Sequence, residues 1–183
     1  STSSSALSAS MSLRAAELLS TWLPVAYAEP DNRAARRATL YGAFLAGLGL
    51  NAGVVLGHSM AYTIANRAHL AHGVTCAMAL PFCLAYNAAA EVEGRDQLAS
   101  RLTRGRTTDL RAAADAVVEL NDSLGIPASP LAAGIAQSEM EPMAEECIAM
   151  YPRPTNPMPM TSARVLALYS AWFARDLDAA WSL

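Results

Sequence analysis

Residues 47–87 read GLGLNAGVVLGHSMAYTIANRAHLAHGVTCAMALPFCLAYN and contain all three histidines of the chain, His58, His69 and His72. Arg67 is the one charged side chain among them. Apolar residues recur at helical spacing on both sides of a reversal near Asn66 to His72. The first helix starts near Val54 and holds His58 and Tyr62 one turn apart on one face. The second opens at His72-Gly73 and runs toward Ala90, with a kink expected at Pro81. On adjacent antiparallel helices, His58 and His72 can return to one point. A single histidine on an apolar face is ordinarily a hydrogen-bonded core residue. Two that converge are candidate ligands for a divalent metal, for which imidazole is the commonest protein donor. Two donors leave the shell incomplete, since a catalytic site wants three protein ligands and an open position. No HExxH pair supplies the rest.

Outward from this block the periodicity stays helical. Leu7, Met11, Leu18, Leu19 and Trp22 form one apolar stripe that Pro24 is expected to end. Asp31 can cap a second helix that turns Leu40, Tyr41, Phe44, Leu45 and Leu48 inward, until the glycines of 47–53 stop it. Asp109 or Thr108 caps a helix with Leu110, Val117, Val118 and Leu120 inward, closed by Leu124-Gly125-Ile126-Pro127. Residues 139–150 read as helix, residues 151–159 hold four prolines and read as an extended loop. Thr161 or Ser162 starts a last amphipathic helix with Val165, Leu168, Tyr169 and Trp172. No segment alternates with period two for long enough to be a strand. The expected fold is all-α, a bundle of six to eight helices.

Composition narrows the function classes. With 183 residues the chain is most simply one domain with a sizeable core, and 53% of its residues are hydrophobic against 16% charged. All 13 cations are arginine and the formal net charge is −3. The densest cluster, Arg101, Arg104, Arg106 and Arg111, is diluted by Asp109 and Asp115, so no nucleic-acid partner is expected. Cys76, Cys83 and Cys147 form no CxxC pair, which suits a reducing cytoplasm. Residues 38–66 and 68–90 carry no Asp, Glu, Lys or Arg. Their glycines, Asn51, His58, Ser59 and Pro81 make buried bundle helices the better reading than membrane spans.

The block from Gly47 to Asn87 resembles the iron-containing, group III alcohol dehydrogenases. In that family two histidines fourteen residues apart bracket a helix-loop reversal, and His-Gly opens a helix carrying Leu-Pro and ending near Tyr-Asn. His58, His72, Gly73, Leu80, Pro81, Tyr86 and Asn87 match in order and spacing. Weaker echoes follow at Leu124-Gly125-Ile126-Pro127, at Asn156-Pro157 and in the closing helix. The resemblance implies that residues 1–183 are the C-terminal helical domain of a two-domain dehydrogenase. The Rossmann-like NAD(P)-binding domain is expected to be absent from this chain, as are the Asp and His that complete the family's metal site.

On that resemblance His58 and His72 are metal ligands, for iron in first place and zinc in second. Tyr62 stands where relatives often have a second histidine, and takes the catalytic and cofactor-facing role. A phenol is a poorer proton shuttle near neutrality than imidazole. The segment before His58 reads one residue shorter than in common relatives, so Leu50 and Asn51 are candidates for an altered substrate-pocket wall. His69 has no ligand counterpart. The expected activity is metal-assisted interconversion of an alcohol and an aldehyde or ketone by hydride transfer with NAD or NADP, in a cytoplasmic homodimer. A maleylacetate-reductase-like enzyme of the same fold is one alternative. An inactive helical packing or oligomerisation domain is another, and titration with NAD(P) separates it from an enzyme.

Overall fold

Side chains that accept hydrogen bonds from unpaired N–H groups set where the helices begin. Ser5 and Ser8 form a reciprocal capping box, and Asn32, Asp109, Thr161 and Asp176 cap four further starts. The computed structural model describes residues 1–183, which form nine α-helices and no strand. They are α1 (Ala6–Ala28), α2 (Arg33–Gly49), α3 (Leu56–Ala65), α4 (His72–Tyr86) and α5 (Arg95–Leu102), then α6 (Leu110–Ser123), α7 (Met140–Met150), α8 (Ser162–Ala174) and α9 (Leu177–Trp181). Short 3-10 turns at Leu50–Ala52 and Gln137–Glu139 follow α2 and precede α7. The all-α expectation holds. The eight-residue α5 and the five-residue α9 are too short to show an apolar stripe in the sequence.

The chain divides into two compact units, residues 1–53 with 92–124 and residues 54–91 with 125–183. In the first, α1 and α2 pack through Ala15, Leu18 and Leu45, with Met11, Trp22, Ala38 and Ala46 alongside. A Cβ at Gly42 would lie 3.0 Å from Leu19 Cγ and 3.2 Å from Leu18 Cβ, so glycine is what lets the two helices approach. The buried face of α2 is therefore Ala35, Gly42 and Leu45. This corrects the expected inward set: Leu40, Tyr41, Phe44 and Leu48 are exposed. The small residues, not the large ones, select the packing face. Pro24 also fails to end its helix, since α1 runs through it to Ala28. A proline inside a helix removes one N–H donor without forbidding the turns that follow.

The second unit holds most of the large buried side chains. Leu56, Met60 and Ile64 from α3 meet Met78, Phe82 and Tyr86 from α4, Met143 and Cys147 from α7, and Val165, Leu168, Tyr169 and Trp172 from α8. Gly125 adopts a φ of 69° just beyond the α6 C-cap, where the glycine-proline stop signal lies. The proline-rich loop is fastened by Asn156. Its Oδ1 accepts from Leu56 N at 3.1 Å, and its Nδ2 donates to Asn87 Oδ1 at 2.9 Å and to Met158 O at 2.7 Å. Tyr86 OH donates to Pro159 O. Tyr86, Asn87 and Asn156 thus clamp the loop against the start of α3. No single helix is long and apolar enough to cross a membrane.

Candidate metal centre

The first turn of α3 carries His58. Its N-terminal N–H groups find acceptors in Asn156 Oδ1, through Leu56 N, and in Val55 O, through His58 N at 3.0 Å. Helix α4 begins at His72 itself. The connection between them is short and pinned. Arg67 Nε donates to Glu139 Oε2 at 2.7 Å and Nη1 to Glu146 Oε2 at 2.5 Å, while Nη1 also reaches Thr63 O at 3.1 Å. Asn66 Nδ2 donates to Glu146 Oε1 and to Tyr151 OH. These contacts hold the reversal against α7, and the two histidines come together as expected.

The His58 and His72 ring centroids are 5.6 Å apart. Tyr62 stacks on His72 with centroids 5.1 Å apart and planes 10° from parallel, and Tyr151 tilts against Tyr62 at 5.0 Å. Burial, then the neighbouring His72 and Arg153, hold the His58 imidazole below its ordinary pKa. His58 is thereby kept neutral, the form whose nitrogen lone pair can take a metal. His58, His72 and Cys76 each offer a donor atom within 4.8 Å of the other two. Burial pushes the Cys76 thiol up to about 11. Two imidazoles and a sulfur fit a borderline divalent cation such as iron(II) or zinc.

Sequence reasoning overlooked three neighbours of the pair. Cys76 lies four residues after His72, a spacing that puts both on one helix face. Tyr151 and Arg153 come from the proline-rich loop, and no local pattern announces them. Arg153 Nε donates to Ser59 Oγ at 3.0 Å, and its guanidinium carbon lies 5.7 Å from the Tyr62 ring centroid. Ser59 Oγ in turn donates to Tyr151 O at 2.7 Å. His69 sits exposed in the connection. Leu50 and Asn51 belong to the first unit, where Leu50 is exposed and Asn51 Nδ2 donates to Leu48 O at 2.9 Å.

Known proteins share this arrangement of helices. A family profile described as the Fe-containing alcohol dehydrogenase family, C-terminal, matches residues 1–173. The maleylacetate reductase of Rhizobium sp. strain MTP-10005 is 34% identical over 147 residues, covering 79% of this chain and 39% of the relative. Long-chain-alcohol dehydrogenase 1 of Geobacillus thermodenitrificans is 28% identical over 171 residues, covering 90% and 43%. A solved 1,3-propanediol oxidoreductase superposes with a TM-score of 0.83 at 25% identity, over 93% of this chain and 46% of that one. The solved Rhizobium maleylacetate reductase gives a TM-score of 0.76 at 30% identity, over 93% and 46%. The chain spans less than half the length of these relatives.

Proposed function

The chain belongs to the Fe-containing alcohol dehydrogenase family as its C-terminal domain, and from that membership we propose that it is the metal-holding helical part of an NAD(P)-linked dehydrogenase that interconverts an alcohol and an aldehyde or ketone. The observation that carries this reading is the convergence of His58 and His72, 5.6 Å apart between ring centroids. In this reading the two imidazoles hold a divalent cation, iron in the first place. When bound, such a cation supplies Lewis acidity toward the substrate oxygen. His58 stays neutral through burial and the charges beside it, and so offers its lone pair without first shedding a proton. Tyr62 orients His72 by stacking flat on it, and its hydroxyl is the phenol assigned to relay a proton. The nicotinamide cofactor, NAD or NADP, is held by a nucleotide-binding domain outside residues 1–183.

Dialysis of the chain against iron(II) or zinc, followed by elemental analysis, tests the assignment. Stoichiometric metal is expected, and lost in His58→Ala and His72→Ala variants that still fold. Full metal content in both variants rules the assignment out.

A second reading has its own support. Arg153 forms no ion pair, lies next to Tyr62 and is among the charges felt by His58. An unpaired guanidinium there suits an anionic carbonyl substrate of the kind the maleylacetate-reductase relatives are named for. Arg153→Gln in the complete enzyme would then raise KM for carboxylate-bearing substrates and leave uncharged alcohols alone. Cytoplasmic placement is part of the proposal, supported by three free thiols, two of them buried. A homodimer is also part of it, supported by the exposed apolar row Leu40, Tyr41, Phe44 and Leu48 on α2, and light scattering checks it.

A further inference from the structure

We propose that Cys76 is a third metal donor, so that this chain by itself presents a two-nitrogen, one-sulfur site made of His58, His72 and Cys76. The inference rests on the proposal that the two histidines hold a cation, and adds to it a donor of different chemistry.

Three observations carry it. His72 and Cys76 occupy the first and fifth positions of α4, one turn apart on one face. Cys76 Sγ lies 3.4 Å from His72 Nε2. A tetrahedral centre with its sulfur at about 2.3 Å and its nitrogen at about 2.0 Å has a sulfur–nitrogen edge of roughly 3.6 Å. That edge is therefore already formed. His58 then comes in from α3, and the three donor atoms lie within 4.8 Å of one another.

The surroundings leave the three donors open on one side. Cys76 and His58 are half-buried, while His72 is exposed. Three donors from one chain leave the shell open to a further ligand. The Cys76 thiol is in no disulfide and its hydrogen-bond partner is His72 Nε2. Beneath it Thr75 and Met78 are buried, and Thr75 Oγ1 donates to His72 O at 2.9 Å. On coordination the Cys76 proton leaves to solvent and Sγ takes the cation in its place. A sulfur donor moves the preference toward zinc and cobalt(II) and away from magnesium and calcium.

Anaerobic cobalt(II) titration of the 183-residue chain, followed by absorption spectroscopy, tests this directly. Wild-type protein should develop a near-ultraviolet sulfur-to-cobalt charge-transfer band together with visible bands of four-coordinate cobalt. Cys76→Ser should still take up cobalt but lose the charge-transfer band, and zinc competition against a chromophoric chelator should show affinity lowered on the order of tenfold or more. Cobalt uptake by wild type without that band overturns the Cys76 assignment and leaves the histidine pair standing. So does wild-type zinc affinity in the serine variant. Absence of any cobalt uptake by the folded wild-type chain overturns both. The wild-type spectrum needs no variant, so a misfolded Cys76→Ser protein does not block the test.

Discussion

Tyr62 lies flat on His72, with ring planes 10° apart and centroids separated by 5.1 Å. The stacking fixes the imidazole of a residue that begins its helix and is otherwise exposed to water. Tyr62→Phe keeps the ring and should leave metal affinity within about twofold of wild type. Tyr62→Ala frees His72 and should weaken affinity by roughly 10-fold or more, the scale found when a group that orients a ligand is removed. Chelator competition on both variants measures the difference. Equal affinities would mean the stacking does not position His72.

His58 gives the fold a pH dependence of definite sign. Burial, His72 and Arg153 lower its pKa from 6.5, so the unfolded chain takes up a proton before the folded one does. Stability is therefore unaffected above pH 6.5, falls as the pH drops below it, and levels off once folded His58 is itself protonated. Thermal melts of the metal-free chain between about pH 7.5 and about pH 5 should show that decline. His58→Gln, which cannot titrate, should flatten it.

Asn156 joins the proline-rich loop to the start of α3. Asn156 is buried, and its replacement by alanine removes the acceptor of the Leu56 N–H and the donor that reaches Asn87 Oδ1 and Met158 O. A cost of about 2 kcal/mol is expected, a fall in Tm of roughly 4–8 °C for a chain of this size. Calorimetry reads it. Metal affinity should fall as well, because the first turn of α3 carries His58.

The two carboxylates that hold Arg67 are unequal. Glu146 is 20% exposed at its side chain and Glu139 43%, so Glu146→Gln should destabilise the chain more than Glu139→Gln. Denaturant unfolding of the pair of variants gives the ranking. The Glu139 contribution should also shrink the more in high salt.

At Gly42 the packing predicts a substitution that opposes helix propensity. Gly42→Leu adds a better helix former but drives its Cβ to within 3.0 Å of Leu19 Cγ. It should destabilise by about 1–3 kcal/mol, whereas Phe44→Ala, on the face exposed in the monomer, should keep the monomer within roughly 0.5 kcal/mol of wild type. Urea midpoints compare them.

The contrast between Gly42 and Phe44 shows what the sequence could express. Helical periodicity located α2, though its cap is Asn32 rather than Asp31, and the Asp109 and Thr161 caps and the Gly125-Pro127 stop located α6 and the start of α8, because those signals are local. Which face of α2 is buried depends on how closely α1 can approach, and the large apolar residues pointed to the wrong side. The convergence of His58 and His72 was legible for a related reason: they lie on consecutive helices joined by a short reversal. Cys76 was legible in principle, one turn beyond His72. Arg153 was not, since it comes from a loop 95 residues beyond His58 in the chain and nothing near it marks the approach.

The Arg67 clamp also sets an order of events during synthesis. The histidine hairpin leaves the ribosome long before Glu139 and Glu146, which lie 72 and 79 residues beyond Arg67. Until those carboxylates are translated, no ion pair fastens the bend between the two imidazoles, and closing so long a loop has an entropic cost that local helix formation does not offset. A nascent chain thus has its nitrogen donors without their geometry. Convergence of the two imidazoles becomes a late event, reserved for polypeptides whose C-terminal third has already docked.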